Sequence, residues 1–387
     1  MKKTIRPTRI VAGFAFAAIF NHSPMLAESL TNVPSPSSEL SVLDRAPVSY
    51  SQLPNGLGLI VQEDHSSPVV SIQAWVSAGS ITEDKHLGAG ISHILEHMLF
   101  KGTERRGNSD IAHTIQSLGG YLNAYTSFDR TVYYIDLPSA GWKNGIDVLA
   151  DAIFHSTLPP DEYGKEQEVI RKEFNMGFDD PERTLQKLLF STAFSTHPYQ
   201  YPVIGNLDVF NQLTREDVLQ YYKKNYVPNN ITFVVVGDVK TEEVKAALTE
   251  FTAKAPRRSL PDVFIPQEPK QLARREAHET FATEVTRMVV GFHIPGITHP
   301  DLYALDVLAL LAGQGNSSRL NQALVEKNPI LQDVGAFSYT PAQSGLWAVS
   351  ATLITDSKVT RKEVEKEILN ILDQFKKTPV TGAELNK

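Results

Sequence analysis

Hydrophobic positions along this chain recur with two different periods, and the changes between them mark out its elements. In Val69–Val76 the apolar side chains fall on alternate positions, as in a strand with one buried face. Residues 49–52 and 57–63 flank Asn55-Gly56, a dipeptide that readily supplies the positive φ angles of a hairpin turn. The stretch 88–100 instead repeats at three and four residues and predicts a helix. Ser109 is expected to cap a helix over 109–118 that stops at Gly119-Gly120, before strands at 121–127 and 130–137. An amphipathic helix follows over 141–156, and Pro159-Pro160 opens a long charged one running to about residue 176. Helices over 181–194 and 214–226, an apolar strand at 230–236 and a helix over 241–253 complete the series.

Residues 255–275 carry Pro256, Pro261, Pro266 and Pro269 among several charges, the composition of a linker. A second series then begins: a strand at 285–294, helices over 300–311 and 317–327, strands at 334–339 and 346–354, and a helix opened by the capping box Thr360-Arg361-Lys362-Glu363. The order repeats that of the first series and implies an internal duplication. Thr381-Gly382-Ala383-Glu384 starts one more helix as the sequence stops, so the second domain is expected to lack its last elements. The expected division is a signal peptide at 1–27, a disordered spacer at 28–46, a first domain at 47–254, the linker, and a second domain at 276–387.

Composition narrows the class without naming a function. The 387 residues are 42% hydrophobic and 21% charged, enough chain for two cores, and the net charge of -7 argues against nucleic acid or an anionic membrane as partner. Lys2, Lys3, Arg6 and Arg9 precede an apolar run over 10–20 that is too short to span a bilayer, which reads as a secretory signal. A periplasmic or secreted protein is expected. A mitochondrial transit peptide is the competing reading, since no acidic residue precedes Glu28. With no cysteine, there is neither a lipoprotein attachment site nor a disulfide.

The chemistry is concentrated in His93-Ile94-Leu95-Glu96-His97. One helical turn separates the two histidines, so both imidazoles project from one face, with Glu96 alongside. Ile94, Leu95, Met98, Leu99 and Phe100 leave little room for a solvated face, and burying unpartnered polar groups there costs about 1–3 kcal/mol each. A zinc ion removes that penalty, since it accepts nitrogen and carboxylate ligands and keeps a position open for water, whose proton Glu96 would take. H-x-x-E-H is also the inverted zinc-peptidase motif. A third ligand should come from the long helix after Pro160, where Glu166 and Glu173 lie two turns apart on one partly apolar face. Spacing favours these two over Glu162 and Glu168 and does not choose between them. His155, His197 and His299 have no companion at ligand spacing and read as packing or loop residues.

The chain resembles the pitrilysin family of zinc peptidases, which includes insulin-degrading enzyme and the mitochondrial processing peptidase. The resemblance runs through Leu53-Pro54-Asn55-Gly56-Leu57, the 93–97 motif, Phe100-Lys101-Gly102-Thr103, Asn123-Ala124-Tyr125-Thr126, Thr131-Val132-Tyr133-Tyr134 and His197-Pro198-Tyr199. It implies an α+β fold of two similar domains, each an antiparallel-rich mixed sheet packed with helices. It further implies that His93, His97 and Glu173 bind one zinc per chain and that Glu96 is the general base. Glu166 would be a second carboxylate that supports the site without ligating the metal. Asn123 and Ala124 would lie on an edge strand that receives the substrate backbone. Short or unfolded peptides are the implied substrates. Members that act alone carry, in the other half of an enclosing chamber, an arginine and a tyrosine seven residues apart. By register from Ser318-Arg319-Leu320 those positions fall here near Val325 and Gln332, so a dimer with a homologous subunit supplying the pair is expected. The alternative is a non-catalytic core or peptide-binding scaffold subunit of the same family.

Overall fold

The computed structural model describes residues 8–10 and 47–386, apart from 261, 356 and 357. The expected signal peptide and spacer lie outside the described residues, except for Thr8–Ile10, which runs antiparallel to Glu279–Phe281. The remaining strands form two sheets. The first contains β1 (Ser49–Gln52), β2 (Gly58–Glu63), β3 (Val69–Val76), β4 (Tyr121–Thr126), β5 (Thr131–Pro138) and β6 (Ile231–Gly237), in the spatial order β1-β2-β6-β3-β5-β4. Only the β2–β6 pair is parallel. The hairpin between β1 and β2 turns at Gly56, whose φ of 91° is the left-handed conformation that glycine adopts without strain.

Alternation decides which face of this sheet is buried. Val70, Ile72, Ala74 and Val76 of β3 and Ile231, Phe233 and Val235 of β6 point into one core. Against that face pack α1 (Ile91–Leu99), α2 (Asn108–Ser117), α3 (Trp142–His155) and α4 (Pro160–Phe178); α5 (Pro181–Ala193) belongs to the cluster between the sheets, and α6 (Arg215–Asn225) and α7 (Thr241–Phe251) return to this core. Ile91, Ile94, Leu95, Met98 and Leu99 of α1 are fully buried, each contributing about 1.5–3 kcal/mol of burial free energy. The cap of α2 differs from expectation. Gly107 is the N-cap and donates its N–H to Asp110, so Ser109 lies inside the first turn.

The second sheet is β7 (Arg287–Ile294), β8 (Leu331–Tyr339) and β9 (Gly345–Leu353), antiparallel in the order β8-β9-β7. It repeats the β4-β5-β3 end of the first sheet. Helix α8 (Leu302–Gly313) follows β7 as α1 follows β3, and α9 (Arg361–Lys377) follows β9 as α3 follows β5. The helix expected over 317–327 is irregular. It opens as a short α-helical piece, Arg319–Asn321, and continues as a π-helix over Gln322–Lys327, a wider turn that re-aims the chain toward β8.

The sheets meet through an apolar cluster of their own, built from Phe128, Leu189, Phe190, Phe194 and Tyr199 on one side and Val289, Leu346 and Ala348 on the other. Polar contacts fix its register. Asp129 accepts the Tyr199 hydroxyl hydrogen at 2.8 Å with one oxygen and the Ala342 N–H at 2.8 Å with the other. His197, expected to be a packing or loop residue, is buried in this contact. Its Nδ1 accepts the Tyr199 N–H at 3.1 Å, which leaves Nε2 to donate to Gln343 Oε1 at 3.1 Å.

Glu268, from the proline-rich stretch, seals the same joint by accepting the backbone N–H groups of Ser195, Thr196 and His197. Burial by itself would raise its pKa, but these donors, with the Ser195 hydroxyl, hold it down at about 2, against an ordinary value of 4.5. A carboxylate depressed on folding contributes stability above its unfolded pKa and loses it as pH falls toward the folded one. Glu268→Gln should therefore cost about 1–3 kcal/mol at neutral pH. It should also flatten the loss of stability between pH 4.5 and about 2. Urea denaturation midpoints of the two proteins across that range read both effects.

Candidate metal centre

Helix α1 enters its position through a residue that has to be glycine. Gly90 takes a φ of 72°, and a Cβ there would lie 2.1 Å from the carbonyl oxygen of Ile204. The opening turn is held from below by the buried carboxyl of Glu83, which accepts the N–H groups of Gly90 at 3.2 Å and Ser92 at 3.1 Å. Burial pushes the Glu83 pKa up to about 8. Beside it the Ser92 and Tyr221 hydroxyls lie 2.9 Å apart, tying α1 to α6.

From this platform α1 projects His93 and His97 toward α4. The ring centroids are 4.7 Å apart, with the planes inclined at 68°. Glu173 of α4 meets both imidazoles: its Oε2 is 3.7 Å from His93 Nε2 and its Oε1 is 3.7 Å from His97 Nε2. One ligand atom from each of His93, His97 and Glu173 lies within 4.8 Å of the others, and no other such group occurs among the described residues. Glu166, two turns earlier on α4, occupies a different place. Its Oε2 is 3.0 Å from His97 Nδ1, and its Oε1 is 2.6 Å from the Lys101 ammonium. Spacing left Glu166 and Glu173 equivalent; in the fold Glu173 faces the Nε2 atoms and Glu166 stands behind one ring.

Electrostatics follows from burial. His93 is pushed down to about pKa 3 by desolvation, with the neighbouring His97 adding to the effect, so its ring is neutral and keeps a nitrogen lone pair. Its Nδ1 is buried with no hydrogen-bond partner among the described residues. Burial alone would lower the His97 pKa too, but Glu166, Glu173 and Glu96 outweigh it and the net shift is upward. A carboxylate can only accept, so Glu166 holds the proton of His97 on Nδ1 and leaves Nε2 free to ligate. Glu96, also largely buried, is raised by desolvation and accepts the Thr126 hydroxyl hydrogen at 2.6 Å. Two imidazole nitrogens and a carboxylate, converging with no fourth such ligand among the described residues, suit zinc with an open coordination position.

Thr126 ends β4, which among the described residues pairs only with β5 and so lies at the edge of the sheet beside α1. Asn123 and Ala124 lie in the middle of that edge strand, and the Ala124 N–H donates to Asn123 Oδ1 at 2.8 Å. Three contributors were not anticipated from sequence. Lys101 follows His97 by four residues, the repeat of a helical face, and that spacing was a usable signal. Glu83 and Thr126 reach the site only through folding. The expected packing histidines stay away from it: His197 lies between the sheets, and His299 caps its own loop by accepting the Asp301 N–H.

One zinc per chain should be found by mass spectrometry of metal-replete protein, and His93→Ala should abolish it. Glu166→Gln should weaken zinc binding about 10–100-fold, as read by chelator competition, because only the orientation of His97 is disturbed.

Comparison with known proteins places this geometry in context. Residues 59–207 match the family described as "Insulinase (Peptidase family M16)", and residues 212–387 match "Peptidase M16 inactive domain". His93, Glu96, His97, Glu166 and Glu173 all fall in the first match. The chain is 30% identical over 342 residues to zinc protease PqqE of Helicobacter pylori, covering 87% of this chain and 76% of that protein. It is 28% identical over 314 residues to a probable mitochondrial-processing peptidase subunit beta of Arabidopsis thaliana, covering 79% and 59%. A crystal structure of a protease from Helicobacter pylori superposes with a TM-score of 0.82 at 26% identity, over 88% of this chain and 83% of that one. No helix among the described residues is long and apolar enough to cross a membrane.

Proposed function

The chain belongs to peptidase family M16, the insulinase family, and from that premise we propose that it is a zinc-dependent endopeptidase hydrolysing short or unfolded peptides. The observation that carries this reading is Glu96. A carboxylate with a raised pKa stands on the same helical face as His93 and His97, one oxygen bonded to Thr126 and the other left to handle a proton. Zinc held by His93, His97 and Glu173 would supply Lewis-acid polarisation of a peptide carbonyl and acidify a water.

The protein's own groups do the rest. Glu96 Oε1 takes a proton from the attacking water and returns it to the leaving amine, a task favoured by a pKa moved toward neutrality. Thr126 fixes the rotamer of Glu96 from the edge strand, so the strand that would pair with substrate backbone also orients the base. Asn123 and Ala124 are the proposed backbone-pairing positions. Glu166 holds the His97 proton at Nδ1 throughout, with Lys101 balancing its charge.

The same reading makes this chain the zinc-bearing half of a two-subunit chamber. Val325 lies in the π-helix and Gln332 on β8, and neither offers a cation or a phenol. The nearby Arg319 is engaged by Glu384 at 2.8 and 3.1 Å and stacks on Phe375. A homologous subunit carrying an arginine and a tyrosine would complete the site. The basic and then apolar N-terminus supports export to a periplasm as the working compartment.

Glu96→Gln should retain zinc and lower hydrolysis of a quenched fluorescent peptide mixture about 10²–10⁴-fold, and 1,10-phenanthroline should abolish the wild-type activity reversibly. Full zinc loading with no hydrolysis, alone or with any homologous subunit, would instead identify a non-catalytic scaffold. High activity of the chain without a partner would remove the two-subunit part of the proposal.

A further inference from the structure

Beside the metal centre lies a cavity of about 360 Å³ that the hydrolytic chemistry does not use. Glu173 and Thr126 form its inner wall, so it opens directly from the ligand-bearing carboxylate and from the residue that holds Glu96. Its body is aromatic: Phe174 and Phe178 come from α4, Phe190 from α5, Phe128 from the turn between β4 and β5, and Tyr339 from β8 of the second sheet. Phe128 packs against Phe190 at 5.2 Å and against Tyr339 at 6.0 Å between ring centroids, so both sheets are needed to close it.

The charges around the cavity are unbalanced. Arg183 and Lys187 are one helical turn apart on α5, and Phe190 continues the same face. Both residues are exposed. Most of the acidic groups close by are already engaged, exposed Asp179 at the end of α4 being the exception. Glu173 faces the two imidazoles, Asp129 is bonded to Tyr199 and Ala342, and Glu182 pairs with Arg287. Asp180 caps α5 and lies 3.6 Å from Arg183 Nε, which leaves the two terminal nitrogens of that guanidinium. Lys187 has no acidic partner among the described residues.

We propose that this cavity is a substrate subsite for a carboxylate close to the scissile bond, carried by an acidic side chain or by a peptide C-terminus. The carboxylate would lie on Arg183 and Lys187, and the apolar part of the residue between the aromatic rings. The inference rests on the peptidase reading above, because it takes the cavity's neighbour, Glu173, as a ligand of the catalytic metal. It adds a preference that the metal centre cannot supply.

The test separates binding from turnover. Full-length, zinc-loaded Glu96→Gln protein is titrated by fluorescence anisotropy with labelled peptides that differ only in Glu, Gln or Lys at one position, each with an amidated or a free C-terminus. The carboxylate-bearing peptide is expected to bind about tenfold more tightly than its Gln counterpart. Arg183→Glu combined with Lys187→Glu should erase that difference and favour Lys, with zinc content and melting temperature unchanged. Arg183→Gln serves as a milder second variant should the double reversal disturb folding. A preference in the amidated series identifies an acidic side chain, and one confined to the free acids identifies the chain end. Equal binding of all peptides, or a preference that survives both variants, overturns the proposal. Carboxylate-selective binding together with a wild-type protein that cleaves none of the peptides, alone or mixed with a homologous subunit, would leave the subsite standing and overturn the peptidase reading instead.

Discussion

Desolvation of the titratable side chains on α1 is the constraint on which the rest of this structure depends. A helix whose Ile94, Leu95, Met98 and Leu99 are fully buried carries His93, Glu96 and His97 into low dielectric with it. An unpartnered polar group there costs about 1–3 kcal/mol, several times what an exposed ion pair returns. The surroundings are accordingly arranged to meet most of these groups, the buried Nδ1 of His93 being the exception among the described residues. Glu166, itself paired with Lys101, satisfies one imidazole from behind, Thr126 satisfies the carboxylate, and the Nε2 atoms of the two rings converge on Glu173. Burial that would be a liability elsewhere keeps one ring neutral and makes one carboxylate more basic, which are the states that metal ligation and proton abstraction require.

That arrangement explains why α4 is long and charged yet partly buried. Its nineteen residues span enough turns to present Tyr163, Glu166, Ile170 and Phe174 inward, while Glu168, Lys172 and others remain in water. The carboxylates come from the inward face and are two turns apart because the rings they serve are addressed from opposite sides. The N-terminal end of α1 is equally determined. Gly90 passes against the carbonyl of Ile204, and Glu83 receives the first amides, so the rotation of the helix about its axis is set before its side chains are reached.

Much of this was legible in the order of residues because it depends on local periodicity. Alternation through Val70, Ile72, Ala74 and Val76 announced a half-buried strand, Asn55-Gly56 announced a turn, and the 93–97 spacing announced a chelating face. What depends on distant contacts was not legible. Nothing near Glu166 or Glu173 distinguishes the residue behind a ring from the residue in front of it, since both are glutamates on one face. The insertion of β6 between β2 and β3, the Glu83 carboxyl under α1 and the hold of Glu268 on residues 195–197 all join segments far apart in the chain. The segment expected to be helical over 317–327 is helical over 319–327, and its π character was not legible, because a π-turn and an α-turn use the same residue types and differ only in which carbonyl is reached.

Tyr339 closes the aromatic cavity from β8, while every candidate metal ligand comes from α1 and α4. The cavity draws its cations and three of its rings from α4 and α5, close to the candidate ligands, and the second sheet contributes one wall across the Asp129 turn. A displacement of the second sheet against the first would therefore reshape the cavity at Tyr339 while leaving the candidate ligand set on α1 and α4 intact.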